Sequence, residues 1–428
     1  MAPGAGASGH LPVGRLTPAG VIGPISTLDA AAIYVTLRAV TTAPDPRASV
    51  PTLPHGVIRR SPEDFIVDEI PAYAPSGRGE HVFVTFRKTR LNTPDAVRIL
   101  ARALGADPRA AGYAGMKDRH AITTQTASFQ LPLGVDPEPL LAAAEFPGIE
   151  VLSVARHDHK LKPGHLVGNR FRVVVRDVTE SGAAVALERL AEASRTGVPN
   201  AFGAQRFGRD GDNPERALAW VSGKSRGPRD RREQRLLFSA LQSRWFNEVL
   251  AAREADGSWT AVLPGDLAKR HDSGGLFLVA LEGPELDDAQ ARAASGALSA
   301  TGPMFGRKMR WPAGAVLDLE RAVLSRDLDD PHRLDAFAHA GEGTRRPLRM
   351  MVDGLEASVL PDDERAIAAT FVLPKGGYAT TLLARAFHLL DAAAPPRAAG
   401  GAGDAEAGNT EAGNTENEEE VETEAPPT

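Results

Sequence analysis

The stretch DFIVDEIPAYAPSGRGEHVFVTF, residues 64–86, sets the reading of the whole chain. Its two ends, DFIVDEI (64–70) and HVFVTF (81–86), are short runs rich in β-branched and aromatic residues. A Pro/Gly loop separates them, so both read as strands. The segment NTPDAVRILARALG (92–105) that follows is a helix with its punctuation in place. Thr93 is set to cap it, Pro94 suits its first turn, Asp95 suits the positive end of its dipole, and Gly105 stops it. Val97, Leu100 and Leu104 form its apolar stripe.

The same textures recur further on. TASFQL (126–131), IEVLSVA (149–155) and NRFRVVVRD (169–177) read as strands, the last alternating Phe171, Val173 and Val175 against Arg172, Val174 and Arg176. A helix is expected over about 183–196, ending at Gly197. A second, LLFSALQSRWFNEVLAAR (236–253), puts Leu237, Leu241, Trp245 and Val249 on one side. LFLVAL (276–281) reads as a strand, and FVLPKGGYATTLLARAFHLL (371–390) as strand, glycine turn and helix. Strands come in clusters, not in strict alternation with helices. That favours an α+β fold with a largely antiparallel sheet over a doubly wound one. The Gly/Arg-rich segment SGKSRGPRDRREQR (222–235) marks an internal boundary.

The chain has 428 residues, 42% hydrophobic and 24% charged, enough for a packed core and for two domains of ordinary size or one elaborated domain. It has no cysteine, which excludes disulfides, thiolate zinc sites and cysteine nucleophiles and fits a reducing cytoplasm. No run of 18 apolar residues appears and the start lacks a signal-peptide layout, so a cytoplasmic protein with no membrane partner is expected. Residues 1–54 read as a flexible extension, and GAGASG at 4–9 lacks the flanking strand and helix of a dinucleotide loop. Residues 391–428 hold ten acids and one base and repeat EAGNT, an acidic tail with a disordered composition. The other 390 residues therefore net +3, and 195–235 alone nets +5, an excess able to steer a polyanion.

Four segments carry candidate chemistry. In GYAGMKDRHAITTQ (112–125), Asp118 sits between Lys117 and Arg119, and cations on both sides favour an ionised carboxylate. Such a group can act as nucleophile or base, or simply close an Asx-turn. In PNAFGAQRFGRDGDN (199–213), aromatic, amide and guanidinium groups stand together. A base-binding loop uses that mixture: a ring stacks, an amide reads an edge, and Arg holds phosphate. The other reading makes Phe202 and Phe207 core anchors. RHDHKLKPGHLVGNRF (156–171) has three histidines, but Lys160 and Lys162 repel a metal, and an RNA-contacting or plain surface loop fits better. In LPKGGYATTLL, Gly376 and Gly377 open a turn whose helix could face a phosphate.

In order along residues 55–390, SPEDFIVDEIP, GMKDRHAITTQ, KLKPGHLVGNRFRVVVRD, VPNAFGAQRFG, FSALQSRWFN, TGPMFGRKM and FVLPKGGYATTLL resemble the tRNA pseudouridine synthase D (TruD) family of pseudouridine synthases. The resemblance implies isomerisation of uridine, at position 13 in bacterial members, to pseudouridine in tRNA, with no cofactor and no metal. It implies a pseudouridine synthase catalytic fold, a mixed sheet flanked by helices, interrupted by an inserted α/β domain. The catalytic domain is then expected at 55–225 and 346–390, the insert at 226–345, and the chain as a monomer. The catalytic Asp of the motif falls on Asp118, the stacking Phe on Phe202, its neighbouring Asn on Asn200, and the Phe of the first motif on Phe65. Lys117, Arg119, Gln205 and Arg206 complete the expected substrate contacts. The chain departs from the pattern at Ala201, where Tyr is common, at Gly377, where Ser is common, and at Arg59 or Arg60, where Lys is common. The alternative function is a non-catalytic tRNA-binding or RNA-chaperone protein on the same scaffold. A nucleic-acid glycosidase would want a second carboxylate, and none stands near Asp118 in the sequence.

Overall fold

The computed structural model describes residues 52–393, except Arg209 and the side chains of Ala204 and Gln205. Residues 1–51 of the expected extension and 394–428 of the expected tail lie outside the described residues.

The chain runs from β1 (His55–Ile58) to β2 (Phe65–Pro71) and β3 (His81–Thr89). Helix α1 (Thr93–Leu104) follows, then β4 (Gly112–Tyr113), β5 (Ile122–Gln130), α2 (Pro137–Ala142), β6 (Ile149–His157), β7 (Leu166–Val175) and α3 (Glu180–Thr196). Alternation decides what is buried. Val82, Val84 and Phe86 of β3 turn inward and meet Val97, Leu100 and Leu104 of α1. Phe171, Val173 and Val175 of β7 turn to the opposite core, which α3 covers with Ala186, Leu190 and Ala193. Gly105 ends α1 in the left-handed conformation that glycine tolerates best.

The middle of the chain is more helical. It comprises β8 (Val198–Pro199), α4 (Asn213–Val221), α5 (Arg231–Ala255), β9 (Leu267–Arg270), β10 (Leu276–Leu278), α6 (Pro284–Ala294), β11 (Leu298–Met304), α7 (Gly314–Ser325), β12 (Thr344–Pro347) and β13 (Arg349–Met350). Strands β10, β9, β11 and β12 form an antiparallel sheet in that order. Helix α5 buries Leu237, Leu241, Trp245 and Val249, the side expected from sequence, while Phe246 and Leu250 face a second cluster.

The chain then returns through β14 (Asp353–Leu360) and β15 (Asp363–Pro374) to α8 (Ala379–Leu383) and β16 (His388–Asp391). The large sheet runs β14-β15-β7-β2-β5-β3-β6, with β4 added on β5. Within it only β2 and β5 pair in parallel. The fold is therefore α+β with a mixed, largely antiparallel sheet flanked by helices.

Four boundaries differ from the sequence reading. Ile122–Gln125 belong to β5, so the Asp118 loop is shorter than its polar composition implies. The helix expected up to 390 stops at Leu383, and His388–Asp391 instead pair in parallel with β1. The strand expected to run to Leu281 stops at Leu278, and Val279 beyond it is buried. Asn92, not Thr93, occupies the helix-capping position of α1, because the Thr93 hydroxyl is engaged elsewhere.

Candidate active site

Asp118 lies between β4 and β5, at the end of the large sheet where β2 and β5 begin. Its Oδ2 accepts from Nη1 of Arg59, and its Oδ1 accepts the His120 N–H at 2.8 Å. The Asx-turn and the ion pair are thus both present, on different oxygens. Arg59 follows β1, and its side chain is only 9% exposed. Its Nη2 reaches Oδ2 of Asp391 at 3.2 Å, and its guanidinium lies 4.8 Å from the centre of the Phe65 ring. Its φ of 57° is left-handed, a conformation that costs a non-glycine residue about 1–2 kcal/mol. One cation therefore joins the candidate carboxylate, the first-motif Phe and the last strand.

The neighbours expected to keep Asp118 charged are placed differently. Lys117 turns away to a buried ion pair with Glu69 at 2.7 Å, and also donates to Asn169 Oδ1 at 2.9 Å. Arg119 is exposed and makes no ion pair among the described residues. The cation on the carboxylate is Arg59, 59 residues away in sequence. This corrects the expectation drawn from adjacency: the Lys117 ammonium is taken by Glu69 and Asn169, so neighbours in sequence need not be neighbours in charge.

Two polar groups hold the loop from beneath. The Thr93 hydroxyl accepts the Lys117 N–H at 2.9 Å and donates to Gln125 Oε1 at 2.9 Å. Lys88 is fully buried, and its Nζ donates to the Asp118 carbonyl at 2.8 Å and to that of Lys117 at 3.4 Å. Burial pulls its pKa down to about 8, with the Asp118 charge acting upward and Lys117 downward.

The aromatic loop forms a second group. Phe202 is 8% exposed and meets Phe246 edge-on at 5.4 Å within an apolar cluster. Asn247 clamps its backbone, accepting its N–H and donating to its carbonyl, both at 2.9 Å. Guanidinium carbons of Arg346 and Arg206 lie 4.2 and 5.3 Å from the ring centre. Asn200 spends its amide on the protein, donating to Pro347 at 2.9 Å and accepting from Arg346 at 2.6 Å. Arg206 donates to Ser243 at 3.1 Å and to Ser239. The side chain of Gln205 lies outside the described residues. Phe202 is therefore a core anchor in this structure, one that also carries two guanidinium groups.

A chain of contacts links the two groups. Lys117 holds Asn169 of β7, Asn169 pairs with Leu373 of β15, and Arg346 donates to the Gly376 carbonyl at 3.4 Å as well as to Asn200. Gly376 turns at φ +77°, and a Cβ on Gly377 would come within 2.6 Å of the Met350 sulfur, so this chain fills with Met350 the space a larger residue at 377 needs. In the basic loop, His157 stacks on Tyr73 at 5.1 Å and His165 Nδ1 bonds the Tyr73 hydroxyl at 2.8 Å. Burial, then Lys162 and Lys375, holds His165 below its ordinary pKa. No group of three or more His, Cys, Asp or Glu is placed to hold a metal among the described residues.

Sequence reading missed Lys88, Glu69, Asn169, Arg346 and Asp391. Lys88 left a signal: it continues the inward row Val82, Val84, Phe86 with a charge.

Comparison with known proteins bears on the same residues. A family described as "tRNA pseudouridine synthase D (TruD)" matches residues 53–214 and 230–386. The tRNA pseudouridine synthase D of an Anaeromyxobacter species (strain Fw109-5) is 44% identical over 339 residues, covering 77% of this chain and 91% of that one. That of Methylococcus capsulatus is 41% identical, covering 79% and 92%, and that of Thermus thermophilus 39%, covering 77% and 87%. A crystal structure assigned to tRNA pseudouridine synthase D from Methanosarcina mazei superposes with a TM-score of 0.65 at 23% identity, over 78% of this chain and 94% of that one, a likeness of fold. The first matched segment contains the Asp118 loop, the Phe202 loop and β7, the second contains β15, and on this evidence the chain belongs to the tRNA pseudouridine synthase D (TruD) family.

Proposed function

We propose that the chain isomerises uridine to pseudouridine in tRNA, at uridine 13, with Asp118 as the catalytic carboxylate. The observation that carries this reading is the state of Asp118. It is part-exposed, bound on one oxygen by Arg59 and on the other by a backbone N–H, and mounted on a loop tied down from beneath. The reaction breaks the N1–C1′ bond, forms C5–C1′, removes the C5 proton and places one on N1. That balance needs no oxidant, reductant or second substrate.

The target base lies in a stack and must be extruded, at a cost of about a few kcal/mol. Phe202 is the stacking residue of this proposal and offsets roughly 1–3 kcal/mol of that cost. Arg346 now covers its ring and is the group the base must displace or share that face with. Asn200, Arg206, Gln205 and Arg119 are proposed contacts for base and backbone. Lys117 contributes through Glu69 and Asn169 by holding the loop. The proposed catalytic domain is discontinuous, 55–225 and 346–390, with an insert at 226–345. The larger sheet takes its strands from both sides of that insert, and the smaller sheet lies within it apart from the end of β12.

The test is incubation with unmodified tRNA. Wild type is expected to form pseudouridine and Asp118→Asn to bind tRNA without forming it. Free uracil as product would support a glycosidase, and neither product would support a binding protein.

A further inference from the structure

We infer that Lys88 is a positioning residue for this reaction, a buried ammonium that fixes the Asp118 loop and supplies positive charge beneath its carboxylate. The inference rests on the reading of Asp118 given above.

The geometry is unusual for a lysine. Position 88 continues the inward row of β3, after Val82, Val84 and Phe86, in a place where an apolar side chain would pack against α1. The chain puts a charge there and leaves none of it exposed. Among the described residues no carboxylate pairs with it: its hydrogen bonds go to two consecutive backbone carbonyls, those of Lys117 and Asp118. Burying an ammonium against neutral acceptors is costly, and a purely structural need for two hydrogen bonds is met more cheaply by a neutral donor. What favours the charge is the Asp118 carboxylate nearby.

The surroundings leave little else to act on it. The adjacent strands place Thr123 of β5 and Ile149 of β6 at its register, neither charged. On α1, Asp95 and Arg98 pair with each other at the surface and Arg102 is exposed. The loop brings Asp118 and Lys117. Glu69 bears on Lys88 through Lys117, and Arg59 through Asp118. Asp118 thus has a cation on its carboxylate and another under its backbone, and loss of the second loosens the loop and removes charge together. An ammonium poised at about 8 is lost within an accessible pH range.

The experiment measures kcat and KM for tRNA from pH 6.5 to 9.5 in wild type and Lys88→Met, with thermal melts of each. Wild type is expected to lose kcat as pH rises through about 8, with KM for tRNA unchanged. Lys88→Met is expected to be slower by about 10–100-fold at pH 7, the scale of a small displacement of a reacting group, with no fall through 8. A Lys88→Met enzyme within two-fold of wild type, or one that keeps the wild-type alkaline fall, overturns the inference. If Lys88→Met does not fold, a wild-type kcat that is flat from 7 to 9 overturns it instead. Activity surviving in Asp118→Asn would sink the underlying reading, whereas a dead Asp118→Asn beside a Lys88→Met within two-fold of wild type sinks this inference alone.

Discussion

The two loops that carry the motif residues are held by different forces. The Asp118 loop is tied by polar contacts: Lys88 to two carbonyls, Thr93 to the Lys117 N–H, and Arg59 to the carboxylate. The Phe202 loop is tied by packing, with its ring against Phe246 and its backbone clamped by Asn247. Polar tethers leave a carboxylate within reach of a substrate without building it into the core. Packing makes an aromatic part of the core it stands on. Activity and stability should therefore separate in the first loop and travel together in the second.

Phe202→Ala is the sharpest way to break that contrast. Truncating a buried Phe costs about 3–5 kcal/mol of stability, and the lost base contact slows pseudouridine formation as well. A fully active Phe202→Ala with a lowered melting temperature would leave Phe202 as core alone. Arg59→Ala should act the other way. Removing a charged partner from a reacting group costs on the order of 10²–10³-fold in kcat, while the melting temperature falls less than in Phe202→Ala. A rate within a few-fold of wild type would show that the ion pair is incidental. Thr93→Val keeps the shape and removes one tether, so kcat should fall only several-fold, for a hydrogen bond of about 0.5–1.5 kcal/mol. No change in kcat would mean the loop does not need it.

An effect of a different kind is expected on stability against pH. Lys88 titrates near 8 when folded and near 10.5 when unfolded. Below about 8 both states hold the proton, and between those values only the unfolded chain does. The Lys88 penalty is thus greatest below 8 and relieved across that window, so stability rises with pH there. Urea unfolding at pH 8 and 10 should show wild type gaining on Lys88→Met, and a constant gap between them would contradict the burial argument.

The fold was legible where periodicity was strong. The row Phe171, Val173, Val175 and the α5 stripe from Leu237 to Val249 are buried as their spacing demands. It was not legible at 388–391, where HLLD continues a helical pattern but pairs with β1, a partner more than 300 residues away that no local signal reveals. The candidate site was legible as motifs and illegible as contacts. Asp118 reads from its segment, but its cation comes from Arg59 and its support from Lys88 and Thr93, all brought in by sheet topology. Phe202 showed its aromatic character in sequence and hid its burial, because Phe246 and Arg346 come from distant elements.

The most direct test of the central claim is pseudouridine formed in unmodified tRNA by Asp118→Asn, measured beside its tRNA affinity and melting temperature. The account predicts no pseudouridine above background with affinity and stability near wild type. Turnover within ten-fold of wild type would remove Asp118 from the centre of the reaction.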